Sequence, residues 1–254
     1  SISIYEFKSS NKRKIIKVKI DFIFKTAKKE GMDITYSNYL DRYIKYYLTN
    51  ESDIETVVTY VNVGLDNEYY TNVIDIVEQD SISVLVNKYN KLNNNFVPKD
   101  LQNVSFGTGQ LIKEAASAFD KMCNDAKTEN IYIYGGSGYR SYSYQLGLYN
   151  RYVASSGKAE ADTFSARAGH SEHQTGLAMD ILSGKWDYID ENDKEYDWLV
   201  NNSYKYGFIL RYLKGKEEIT GYMYEPWHYR YVGFEAAEEI MSKGICLEEY
   251  LGVI

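Results

Sequence analysis

Apolar residues along this chain recur with two different periods, and the order of the two never settles into a regular strand–helix–strand rhythm. Ile16, Val18, Ile20, Phe22 and Phe24 alternate with mostly polar neighbours, the period of a half-buried strand. Tyr39, Leu40, Tyr43, Ile44 and Tyr47 instead share one face of a helix over about residues 36–48. Further apolar groups follow at Val57–Leu65 and Ser83–Leu92, and then Asn93-Asn94-Asn95 with Pro98 marks a loop. Beyond it, Leu111, Ile112, Ala115, Phe119, Met122 and Ala126 predict a long amphipathic helix, and Ile131–Tyr134 a strand that Gly135-Gly136-Ser137-Gly138 brings to an end. Ser141 is placed to cap a helix reaching about Val153, with a polar Ser-, Gly- and Lys-rich loop after it. The remaining segments read as a strand over Gly176–Leu182, a helix over Tyr196–Tyr206 stopped by Gly207, strands at Phe208–Leu210 and Trp227–Val232, and a helix over Phe234–Lys243 closed by Gly244. Strands and helices mixed in this way predict an α+β fold around a largely antiparallel sheet with flanking helices.

The chemistry-bearing residues gather in the C-terminal part. A soft boundary falls near residue 100, and residues 1–54 read as an N-terminal extension ahead of a domain spanning 55–254. The net charge of −7 argues against a phosphate-backbone binder, so no nucleic-acid partner is expected. No run of 18 apolar residues occurs, which leaves no expected transmembrane segment. The two cysteines, Cys123 and Cys246, read as buried thiols rather than a disulfide framework.

Only three histidines are present, His170, His173 and His228. Histidine is the commonest side-chain zinc ligand, and catalytic zinc takes three protein ligands and leaves a fourth position to water. In Ser171-Glu172-His173-Gln174-Thr175-Gly176-Leu177-Ala178-Met179-Asp180, a glycine-permitted turn at Gly176 would let His173 and Asp180 converge on one ion. In Glu225-Pro226-Trp227-His228, an extended backbone offsets Glu225 from His228, so that the imidazole can bind metal while the carboxylate faces the adjacent water. Taken singly, a histidine among aromatic residues is more often a packed or surface residue than a ligand, a His-to-Asp separation of seven is common by chance, and Arg140 alone reads as a surface salt bridge.

Together these residues resemble the zinc D-alanyl-D-alanine peptidases of the VanX and VanY kind, in which Ser-x-His is followed seven residues after the histidine by Asp, and later by Glu-x-x-His. The resemblance extends to Gly138-Tyr139-Arg140-Ser141 with Gln145, to Tyr229-Arg230-Tyr231-Val232-Gly233, and, for the VanY branch, to Leu85-Val86-Asn87-Lys88 and Val97-Pro98. It covers roughly residues 80–235. It implies a fold like that of the hedgehog signalling domain, with a zinc cleft holding one Zn2+ per chain. His173, Asp180 and His228 would be the ligands, Glu225 the general base and acid, and Arg140 the group that binds and polarises the substrate. Gln145 and Ser171 would hold the terminal D-alanine or the peptide backbone, and Trp227 would wall the cleft.

The implied substrate is a peptidoglycan stem peptide ending in D-Ala. A D,D-carboxypeptidase is the first expectation, and L,D-carboxypeptidase action on a tetrapeptide stem or a non-catalytic zinc-containing wall-binding module are the alternatives. The implied site of action is extracytoplasmic, facing the cell wall, with any export signal or anchor outside these residues. His170 lies outside the ligand pattern and reads as a loop-surface or cleft-rim residue, and Glu172 and Glu235 read as solvated charges.

Overall fold

The computed structural model describes residue 14, residues 36–50 and residues 52–253; the strand expected over 16–25 lies outside them. The chain separates into two compact units, residues 69–247 and a smaller one made of residues up to 68 with the last seven. In the smaller unit helices α1 (Tyr36–Asn50) and α2 (Ile54–Asn62) pack through Tyr43, Val57 and Val61. Asp53 caps α2 by accepting from the Thr56 amide, and the division expected after residue 54 falls at the start of this helix.

The larger unit begins with two short pairings, β1 (Ile74–Asp75) with β2 (Asn90–Lys91), and the hairpin β3 (Leu101–Asn103) with β4 (Gln110–Ile112). The helix α3 (Lys113–Thr128) buries Ala115, Ala116, Phe119, Met122, Cys123 and Ala126. It starts later than the periodicity suggests, because Leu111 and Ile112 are spent on the hairpin. Its buried stripe packs on a four-stranded, fully antiparallel sheet, in the order β5 (Tyr134–Ser137), β6 (Ala178–Leu182), β8 (His228–Tyr231), β7 (Phe208–Leu210).

The glycine run does not end a strand, as its composition suggests; it is the strand. Gly135 exchanges backbone bonds with Phe106 and Thr108, and a β-carbon on Gly135 would lie 2.6 Å from the Thr108 oxygen. Two backbones can approach this closely only where no side chain intervenes. Ser141 caps α4 (Tyr142–Ser156) through the Tyr144 amide as expected. The polar stretch after it is a further helix, α5 (Lys158–Phe164), anchored by buried Ala161. Helix α6 (Lys194–Asn202) runs into a 3₁₀ turn that stops at Gly207, α7 (Glu217–Thr220) is a single turn, and α8 (Phe234–Lys243) ends at Gly244. Cys123 and Cys246 are both buried and unbridged.

Candidate metal centre and cleft

Sheet register brings the predicted ligands together. Asp180 in β6 stands directly opposite His228 in β8 and, across a bulge, opposite Ser137 in β5. Directly opposed residues project from the same face of a sheet. His173 arrives from the 3₁₀ turn Glu172–Thr175, and Gly176, with φ of 67°, turns the chain from that segment toward β6. One ligand atom from each of His173, Asp180 and His228 lies within 4.8 Å of the others, and all three residues are buried.

The protonation pattern makes this cluster a site for a cation. His173 gives its Nδ1 proton to the Gly138 carbonyl at 2.7 Å, so its Nε2 carries a lone pair, and that atom faces Asp180 Oδ1 at 3.3 Å. His228 Nδ1 faces the same oxygen at 3.1 Å, while its Nε2 lies 3.5 Å from Glu172 Oε2. Asp180 Oδ1 is buried and makes no hydrogen bond. Such an atom is costly unless something positive answers it. Two imidazole nitrogens and a carboxylate oxygen converging with one side open suit zinc. Burial and the charge of Arg140 lower the pKa of His173, keeping it neutral. Burial opposes ionisation of Asp180, but His173 and His228 outweigh it and hold the carboxyl well below its usual range. Burial would also lower His228, yet the Asp180 and Glu172 carboxylates beside it push it up to about 9 in the metal-free protein, the same pull toward positive charge that a cation would answer.

Around the cluster lies a cleft of about 580 Å³ that includes Arg140, Gln145, Ser171, Trp227 and Glu225 in its walls. Arg140 donates from Nη2 to Asp180 Oδ2 and from Nε to Ser137 Oγ at 2.9 Å. Arg140 thus makes an ion pair, one inside the cluster rather than on the surface, and also lines the cleft. Gln145 donates to the Ala166 carbonyl at 2.8 Å, and its Oε1 is buried without a partner. Trp227 is half-buried and tilts against Tyr188, and Ser171 is buried at the cleft floor. Glu225 Oε2 lies 3.6 Å from His228 Nδ1. Burial, reinforced by the charges of Asp180 and Glu172 against those of His228 and Arg140, raises the Glu225 carboxyl to about 7.

Two expectations are overturned. Glu172 is not a solvated charge: it is fully buried, and its Oε1 accepts from Arg211 Nε and Arg230 Nη1, each at 2.8 Å. Arg230 in turn donates to the Ile82 and Val84 carbonyls at 3.0 and 2.8 Å. Burial opposes ionisation of Glu172, and the two guanidinium groups overcome it, driving the carboxyl far below its usual range. Its second oxygen lies 3.5 Å from His228 Nε2 with no hydrogen bond between them, the placement from which a carboxylate commonly orients a ligand histidine. No local signal marks this role, since both arginines come from distant parts of the chain. His170 is likewise buried, with its Nδ1 on the Asn87 carbonyl at 2.7 Å and its ring against Tyr70. It stands apart from the three-residue cluster. Glu235 is exposed, as expected.

Comparison with known proteins bears on this geometry. The model of the family described as VanY, D-alanyl-D-alanine carboxypeptidase, matches residues 108–234. A putative carboxypeptidase of Bacillus subtilis (strain 168), YodJ, is 40% identical over 205 residues, covering 74% of this chain and 75% of that protein. The solved LdcB LD-carboxypeptidase aligns with a TM-score of 0.67 at 40% identity, over 74% of this chain and 93% of that one. A vancomycin-resistance D,D-pentapeptidase, VanY, solved in complex with Zn(II), aligns with a TM-score of 0.60 at 38% identity, over 66% of this chain and 98% of that one.

Proposed function

This chain belongs to the VanY family of D-alanyl-D-alanine carboxypeptidases, and on that premise we propose that it is a zinc carboxypeptidase releasing C-terminal D-alanine from the stem peptides of peptidoglycan or their precursors. His173, Asp180 and His228 hold one zinc ion, and the observation that carries this is the unbonded Asp180 Oδ1 between two imidazole nitrogens, with Glu225 alongside. Zinc, when bound, supplies Lewis acidity and lowers the pKa of its water from 15.7 to around 7.

The residues of the chain do the rest. Glu225 accepts a proton at Oε2 as water attacks the scissile carbonyl, and afterwards delivers it to the leaving amine. Burial pushes this carboxyl up to about 7 in the metal-free site, and a bound cation would draw it back down toward the ionised form that accepts the proton. Arg140, held in place by Asp180 and Ser137, puts a positive donor beside the carbonyl oxygen as negative charge grows there. Gln145 offers its unpartnered Oε1 to a peptide N–H, Ser171 stands beside it, and Trp227 with Tyr188 excludes water from one wall. The work is done outside the cytoplasm, at the cell wall. No helix among the described residues is long and apolar enough to cross a membrane.

A second reading, L,D-carboxypeptidase action on tetrapeptide stems, is favoured by the likeness to the LdcB LD-carboxypeptidase. The same metal and base serve either bond, and the pocket for the penultimate residue discriminates between them. Incubation of zinc-loaded protein with defined pentapeptide and tetrapeptide stems, followed by mass spectrometry, decides between the two: D-alanine released from the pentapeptide supports the first reading, from the tetrapeptide the second. Release from neither, with zinc bound, leaves the non-catalytic wall-binding module.

A further inference from the structure

An aromatic pair beside the cleft takes no part in the chemistry above. Trp186 sits in the turn that follows β6 and has φ of 64°, a left-handed conformation that residues with side chains rarely adopt. The turn is fixed by a bond from the Trp186 amide to the Ser183 carbonyl at 2.9 Å and one from the Ser183 amide to Asp187 at 2.8 Å. The indole lies flat on the Tyr134 ring, with centroids 4.5 Å apart and planes 9° from parallel, and the residue remains 57% exposed. A glycine or asparagine would make this turn without strain and without leaving a large apolar ring in water. The fold thus accepts two costs to hold one flat aromatic face outward.

Sheet register locates that face. Leu182 lies two residues beyond Asp180 in β6 and so projects on the same side of the sheet. Its lateral partners, Tyr134 in β5 and Tyr188 across an isolated bridge, share that side. Tyr188 lines the cleft and leans on Trp227, 5.8 Å between centroids. Tyr188, at the cleft wall, and the Tyr134–Trp186 stack thus flank Leu182 on either side of one sheet face, roughly 7 Å along β6 from Asp180.

We propose that the Trp186–Tyr134 pair is a saccharide subsite, in which the outer face of the indole carries a pyranose ring of the glycan joined to the stem peptide. This rests on the reading of the cleft as a wall-peptide site. The chemistry of the surface selects the ligand: an aromatic face is electron-rich and flat, which suits the polarised C–H groups on one face of a sugar ring, whereas an apolar peptide side chain needs a concave pocket. Exposed Asp187, next to Trp186 in the chain, offers a partner to hydroxyl groups, whereas Lys185 Nζ pairs with Asp193 Oδ1 at 3.2 Å. The reach is appropriate too. Four extended residues preceding the scissile bond carry the sugar roughly 13 Å from the reacting carbonyl, outside the cleft rather than in it.

The test uses one pentapeptide in two forms, free and linked to its N-acetylated disaccharide, with the zinc-loaded wild type and Trp186→Asn, a variant whose new residue tolerates the left-handed backbone. Wild type should show kcat/KM about tenfold higher on the disaccharide-linked form, the worth of roughly one stacking contact. Trp186→Asn should lose that preference while handling the free peptide as wild type does. Equal kcat/KM on the two forms in wild type, or an equal loss on both in the variant, overturns the proposal. Intrinsic fluorescence with the peptide-free disaccharide separates this from the fate of the catalytic reading. If neither peptide releases D-alanine, the cleft assignment fails, while a disaccharide-dependent change in wild type that is absent in Trp186→Asn still upholds the subsite, and no change in either removes it.

Discussion

Glu172 Oε2 lies 3.5 Å from His228 Nε2, which ties the 3₁₀ turn carrying His173 to the strand carrying the other proposed histidine ligand. The carboxylate is itself clamped by two fully buried arginines. From there its charge is placed to bias which nitrogen of His228 faces Asp180.

Glu172→Gln should therefore weaken zinc binding by about 10- to 100-fold, the usual effect of removing a ligand's orienting partner. It also removes the negative charge that faces two buried guanidinium groups, and breaking a buried pair in this way costs about 3–5 kcal/mol. Competition with a chromophoric chelator reads the first effect and urea denaturation the second. Unchanged zinc affinity would deny Glu172 its orienting role.

Glu225→Gln should leave the zinc content at one equivalent and cut kcat for D-alanine release by about 10²- to 10⁴-fold, the range for losing a positioned acid–base group. Metal analysis and a D-alanine assay on the same preparation check both halves. Retained turnover would show that some other group moves the proton.

The same carboxyl predicts a pH dependence of the metal-free protein. Glu225 titrates at about 7 in the fold against 4.5 in the unfolded chain. Between these values the native state holds more proton than the unfolded one, so this group's contribution to stability is present below pH 4.5 and is lost as pH rises toward 7. The loss amounts to up to ~3 kcal/mol relative to Glu225→Gln, which has nothing to ionise. Denaturation curves of the two proteins in chelator should converge at low pH and separate by neutrality, with the variant the more stable.

Arg140→Ala removes the proposed donor at the carbonyl oxygen and should lower kcat by about 10²- to 10³-fold, as the loss of one oxyanion donor does. Because Arg140 also pairs with Asp180, zinc affinity should fall in Arg140→Ala and recover partly in Arg140→Lys. Steady-state kinetics with saturating zinc separates the two effects. A loss of activity fully cured by excess zinc would assign Arg140 to the ligand shell alone.

Much of the site was readable along the chain because its parts are local. The turn at Gly176 needs a residue that accepts positive φ, and Ser-x-His ahead of it with an aspartate on the following strand places two proposed ligands within a few residues. The Ser141 cap and the glycine stops at Gly207 and Gly244 are likewise written in single residues. What stayed hidden depends on partners remote in sequence. Glu172 looks solvated until Arg211 and Arg230 fold over it, and the Gly135–Gly138 run looks like a terminator until the β3–β4 hairpin lays its backbone against it. Helix α5 has too little apolar periodicity to be told from a loop, and its one fully buried residue, Ala161, is small.

The hold of Arg230 on the carbonyls of Ile82 and Val84 bears on where this enzyme can be cut. Both acceptors precede the stretch 108–234 that the family model matches. A fragment trimmed to that stretch would keep every proposed ligand and the base, yet strip the arginine of two of its backbone acceptors and so loosen the support behind Glu172 and His228. Minimal catalytic pieces of this protein have to begin upstream of Ile82.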